Sequence, residues 1–148
     1  MLQSYLDLYA GRQADAERHL DAVLSKRPND STALYYLAEF AFARNDFTRA
    51  SNLYRRLHAV DPARPDIDMK AQRALLLAMQ GLLQDAATAA SANRLQDAER
   101  LYRQALSLAP DEATLHGDLA AVLTRQGKQD EAKAELLRQD RKSTRLNS

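Results

Sequence analysis

The sequence has no cysteine and no tryptophan, and only four glycines and four prolines. Without cysteine there can be no disulfide, thiolate metal site or thiol nucleophile, and the redox compartment stays open. Four scattered glycines do not make a phosphate-cradling loop. Long β-branched runs are missing, which argues against a sheet. No apolar run reaches membrane-spanning length; the longest, "ALLLAMQGLL", is short and interrupted by Gln80 and Gly81. The start, "MLQSYLDLYAGR", lacks the basic opening and extended apolar stretch of a secretion signal. Charge of either sign is not in excess: the formal net charge of +1 makes no electrostatic case for a polyanionic partner.

What is present is helix-former chemistry, with Ala and Leu dominant beside Arg, Gln, Asp and Glu. The 148 residues suffice to bury one domain's core. They also repeat. "GRQADAERHLDAVLSKRPND" (11–30) aligns with "NDFTRASNLYRRLHAVDPAR" (45–64), "NRLQDAERLYRQALSLAPDE" (93–112) and "GKQDEAKAELLRQ" (127–139). Each begins on Gly11, Asn45, Asn93 or Gly127, residue types that tolerate the left-handed turn ending a helix. Five residues on stands Ala16, Ala50, Ala98 or Ala132, and four later Leu20, Tyr54, Tyr102 or Leu136. Three copies close on Pro28, Pro62 and Pro110, where a helix ends. A small residue lets two helices approach, and the bulky one a turn later fills the groove between them.

Gly11 to Asn45, Pro28 to Pro62 and Asn93 to Gly127 are each 34 residues apart. With this period and the small–aromatic–proline pattern, the sequence resembles the tetratricopeptide repeat family over nearly all of residues 1–139. In the slots of that family's Trp and Leu-Gly stand Leu34, Leu37 and Ala38, then Leu82, Asp85 and Ala86, then His116, Leu119 and Ala120. The resemblance implies an all-α fold, a right-handed superhelical solenoid of antiparallel helix pairs with about 3.5–4 repeats. The repeats would cover about 1–30, 31–64, 65–112 and a truncated 113–139, with both ends of the array incomplete.

The spacing from Pro62 to Pro110 is 48 residues, a surplus of 14 that reads "PDIDMKAQRALLLA". Either a single long helix spans about 66–92, or a break at Gly81 makes a short hairpin of 66–80 and 83–92. The unbroken stripe Ala71, Leu75, Ala78, Leu82, Ala86 and Ala89 favours the long helix.

Catalytic chemistry is not expected. His19, His58 and His116 occupy different slots of the repeat, and His116 reads as a packing residue. The carboxylates of "DAER" and "DEAKAE" sit among basic residues and read as solvated i,i+4 pairs. No metal or other cofactor is implied.

By the resemblance, the upstream helix of each pair lines a concave binding groove. That places Thr32, Tyr35, Tyr36, Glu39 and Phe42 there, then Leu83, Gln84 and Ala87, then Thr114, Asp118, Ala121 and Arg125. Some members grip a peptide's terminal carboxylate with a Lys/Asn/Arg clamp. Here Tyr36, Glu39, Asp118 and Ala121 fill those slots with only Arg125 of suitable sign, so an extended or helical apolar segment suits the groove better. The implied function is a non-enzymatic scaffold for a protein or peptide segment, without nucleic acid or membrane insertion, and with self-association possible through incomplete solenoid ends. The alternative is a portion of a larger bacterial enzyme or envelope machine, such as a glycosyltransferase or polysaccharide exporter.

The last nine residues, "DRKSTRLNS" (140–148), have no place in the repeat. Back-translated as GAT CGG AAG AGC ACA CGT CTG AAC TCC, they reproduce a widely used short-read sequencing adapter in one frame. They are therefore expected to be an adapter-derived, disordered artefact. Without Asp140, Arg141, Lys142 and Arg145, the 21 basic and 20 acidic residues fall to 18 and 19, and the net charge to −1.

Overall fold

The computed structural model describes residues 2–147, with side chains from Gly11 to Asn147. Among these residues there are seven helices and no strand: α1 (Leu2–Lys26), α2 (Ser31–Ala43), α3 (Phe47–Val60), α4 (Pro65–Ser91), α5 (Leu95–Leu108), α6 (Ala113–Arg125) and α7 (Gln129–Leu146).

Three tight turns are built alike. Asn45, Asn93 and Gly127 have φ of 63°, 58° and 79°. In each, the left-handed residue bonds back three positions and its successor five: Asn45 N–H to Phe42 O and Asp46 N–H to Ala41 O, Asn93 to Ala90 and Arg94 to Ala89, Gly127 to Thr124 and Lys128 to Leu123. These bonds satisfy carbonyls that the helix end would leave unpaired. The successor then caps the next helix, and Asp46 accepts from Arg49 N–H at 3.2 Å. After Pro28, Asp30 caps α2 by accepting from Ala33 N–H at 3.0 Å.

Gly11 does not follow this pattern. It lies inside α1, which runs unbroken, so the turn expected there is absent. Glycine permits a left-handed turn without requiring one, and in a helix interior it costs only about 1 kcal/mol relative to alanine.

The chain packs as two compact lobes, divided between Ala78 and Met79. The core of the first joins Leu34, Leu37, Ala38 and Ala41 of α2 with Ala50, Leu53, Tyr54 and Leu57 of α3, and Ile67 and Ala74 of α4. The second joins Ala86 and Ala89 of α4 with Ala98, Tyr102 and Ala105 of α5, five residues of α6 and Ala132 of α7. Ala50 and Ala98 are fully buried, as helices in close approach require. Ala16 is only partly buried, and Pro28, Pro62 and Pro110 are exposed. Leu136 holds the slot of Tyr54 and Tyr102 but is 46% exposed.

The lobes divide within α4, which is continuous through Gly81. Ile67, Ala74 and Ala78 are buried in its N-terminal half, and Ala86 and Ala89 in its C-terminal half. The N-terminal half of α4 closes the first core and its C-terminal half the second.

At the other end, α7 continues to Leu146, in a stretch expected from the sequence to be disordered. Asp140 to Leu146 contain no proline or glycine to stop a helix. Thr144 Oγ1 donates to Asp140 O at 2.8 Å, and Lys142 reaches Asp111. Ser148 lies outside the described residues.

Candidate functional site

The groove residues expected from the repeat fall in two groups, one in each lobe. In the first lobe α2 lies beside the N-terminal half of α4, joined through Glu39. Lys70 Nζ donates to Glu39, and Tyr54 Oη donates to the same Glu39 Oε1 at 2.5 Å. Burial pushes the Glu39 carboxyl up, but these two donors outweigh it and hold its pKa below the ordinary value. Tyr54 moves the opposite way: burial first, then the Glu39 charge, disfavour its ionised form.

Around this hub the aromatic rings carry cations. Lys70 Nζ lies 5.0 Å from the Tyr35 ring centroid, and the Arg64 guanidinium lies 5.4 Å from it. Arg73 sits 5.6 Å from the Phe42 ring centroid. Tyr35 meets Tyr36 edge to face at 5.4 Å, and Phe42 meets Phe47 at 5.2 Å. Tyr35 and Phe42 are thus half-buried, whereas Thr32 and Tyr36 stand in solvent.

Residues that sequence reasoning missed complete this face. Moving 34 positions along from Tyr35, Tyr36, Glu39 and Phe42 gives Met69, Lys70, Arg73 and Leu76. The 34-residue period reaches them directly from α2, whereas Leu83, Gln84 and Ala87 lie 14 residues further on, past the surplus. Lys70 and Arg73 of α4 reach α2 through Glu39 and Phe42. Met69 and Leu76 are 72% and 68% exposed, and Tyr36 is 49% exposed.

The second lobe presents a different face. Leu83 is half-buried against the core; Gln84, Ala87, Thr114, Asp118 and Ala121 are exposed. Local burial nevertheless raises the Asp118 carboxyl pKa. Arg125 is occupied in structure: it donates to Ala90 O at 3.0 Å and to Asn93 Oδ1 at 3.2 Å, closing the C-terminal end of α4.

The glutamates of the two "DAER" stretches are not simple solvated pairs. Glu17, 8% exposed, takes both Arg44 contacts at 2.5 and 2.7 Å. Glu99 accepts from Gln126 at 2.9 Å, Lys128 at 2.8 Å and Arg103 at 3.0 Å. Each glutamate follows the signature alanine and reaches 27 residues on, to the turn of the next helix pair. Spacing within one helix could not reveal this link between helices. The Lys128 bond, aided by Gln126 and Arg103, holds the Glu99 carboxyl at about 2.

His116 is buried as a packing residue and also polar in its contacts. Its Nδ1 is 2.7 Å from Glu135 Oε2, and its Nε2 is 3.3 Å from Pro110 O. A recess of about 470 Å³ opens beside it, lined by Pro110, Arg138, Arg141, Lys142 and Arg145. Three of those four cations, Arg141, Lys142 and Arg145, lie in the last nine residues, 140–148. Among the described residues no cluster of His, Asp and Glu could hold a metal ion, and no helix is long and apolar enough to cross a membrane.

Several solved structures are similar. One titled "Crystal structure of MamA" is 14% identical, with 94% of this chain and 93% of that chain covered and a TM-score of 0.45. Another, "MamA 41-end from Desulfovibrio magneticus RS-1", is 19% identical, with 98% and 93% covered and a TM-score of 0.41. At those TM-scores the likeness carries no argument of its own. No curated protein sequence matches the chain. The family described as "Tetratricopeptide repeat" matches residues 7–76 and 89–145. With most of its length matched and the turn and alanine pattern in place, the chain belongs to the tetratricopeptide repeat family.

Proposed function

We propose that the chain is a non-enzymatic scaffold that holds a segment of another protein on the face shared by α2 and the N-terminal half of α4. The observation that carries this reading is the solvent exposure of Tyr36, Met69 and Leu76 on two helices whose opposite sides close a core. Single exposed apolar residues are ordinary, but three large ones on one aromatic-walled face mark a surface that gains from being covered. Aromatic side chains also anchor interfaces well, because they bury much area with few rotamers to fix.

Peptide display on the immobilised chain tests the reading. Selected peptides are expected to lose binding to a Tyr36→Ala/Leu76→Asp variant and to keep it with Ala121→Asp, in the second lobe. Peptides that bind the first variant undiminished would remove this face from the account.

A further inference from the structure

We infer that the bound segment carries an acidic side chain between apolar ones, and that Arg73 is the cation that receives it. The inference rests on the α2/α4 reading above and names the partner's chemistry. Among the charges of that face, Glu39 is engaged by Lys70 and Tyr54, and Asp66 by Arg64. Arg73 has no carboxylate partner among the described residues; the interaction it makes is with the Phe42 ring, 5.6 Å to the centroid. The Phe42 ring holds the Arg73 cation within cation–π range and leaves its N–H groups without a carboxylate among the described residues. A guanidinium presents the planar fork of donors that a carboxylate fits.

The neighbours of Arg73 set what flanks the acid. Met69 stands four residues before it and Leu76 three after, so all three share one side of α4. Both are largely exposed. A segment that buried them would bring its own apolar residues to either side of Arg73 and exclude water from the pair. A shielded pair is worth more than an open surface pair, whose median is about 0–1 kcal/mol. A wholly apolar segment would cover the guanidinium without a partner, which is costly. A basic segment would meet Arg73 with like charge. The apolar segment expected from sequence is thereby sharpened to an acidic–apolar one.

The same display selection, read for composition, tests this. Peptides fused through their C-termini to the coat protein have no free terminal carboxylate, so any acid selected is a side chain. Enrichment of Asp or Glu between apolar positions is expected. Synthetic amidated versions should bind Arg73→Glu about tenfold more weakly, the scale of one charge-assisted hydrogen bond. Their affinity should also fall as salt rises from about 0.05 to about 0.5 M. Arg73 is exposed, so an unchanged melting curve would show that the variant is folded. Peptides with no acidic enrichment, indifferent to Arg73→Glu but lost with Leu76→Asp, would overturn the inference and leave the groove reading standing. Peptides indifferent to both substitutions would overturn the two together.

Discussion

The two lobes have separate cores built alike and differ in the face they offer. In corresponding slots, Leu37 and Leu119 are 1% and 0% exposed, Ala38 and Ala120 0% and 2%, and Ala50 and Ala98 0%. Outward, the first lobe has Tyr36, Met69, Arg73 and Leu76, whereas the second has Gln84, Ala87, Thr114, Asp118 and Ala121. One helical framework thus tolerates opposite surfaces, because packing constrains only the inward stripe of each helix. Family membership explains the likeness of the cores, and function has to be read from the face.

The largest expected effects test the equality of the cores. Leu37→Ala and Leu119→Ala should each destabilise by about 2–5 kcal/mol in urea unfolding, since both leave a cavity in the same slot. A difference between them as large as that range would break the comparison at its base.

The next pair sharpens the comparison where the lobes diverge. Tyr54 donates to Glu39, while Tyr102, buried in the equivalent slot, makes no such bond. Tyr54→Phe should therefore cost about 1 kcal/mol, given that Glu39 is partly exposed. Tyr102→Phe should change the melting temperature little.

A smaller effect separates the lobes by pH. Glu99 has its carboxyl lowered from 4.5 to about 2 in the folded second lobe. A lowered folded-state pKa contributes stability that is complete above about pH 4.5 and is lost as pH falls toward 2. Unfolding followed across that window should steepen for the natural chain and flatten for Glu99→Gln. Glu39 acts with the same sign in the first lobe, since its pKa is also lowered. A slope identical in Glu99→Gln would mean that its three donors contribute nothing net.

Much of this was legible in the sequence, for reasons that differ residue by residue. Asn45, Asn93 and Gly127 announced their turns because few residue types accept positive φ. Gly11 misled by the same property, since glycine also fits inside a helix. The long α4 could be followed as one stripe, but the stripe does not say which neighbour each half meets. That ambiguity hid Met69, Arg73 and Leu76, whose slots depend on counting forward from α2. Glu17 and Glu99 were hidden differently: beyond the local Arg103 bond of Glu99, their partners Arg44, Gln126 and Lys128 belong to the next helix pair, and local charge spacing explained them too easily. The helical continuation of α7 through the adapter-like stretch shows that helix-forming composition suffices for helix, whatever its origin.

The most direct test of the account compares display-selected peptides on Leu76→Asp and Ala121→Asp, each placing one new charge on an exposed helix face. The account predicts that Leu76→Asp abolishes peptide binding while Ala121→Asp leaves it within about twofold, a few tenths of a kcal/mol. Loss on Ala121→Asp with binding kept on Leu76→Asp would place the binding face in the second lobe and contradict it.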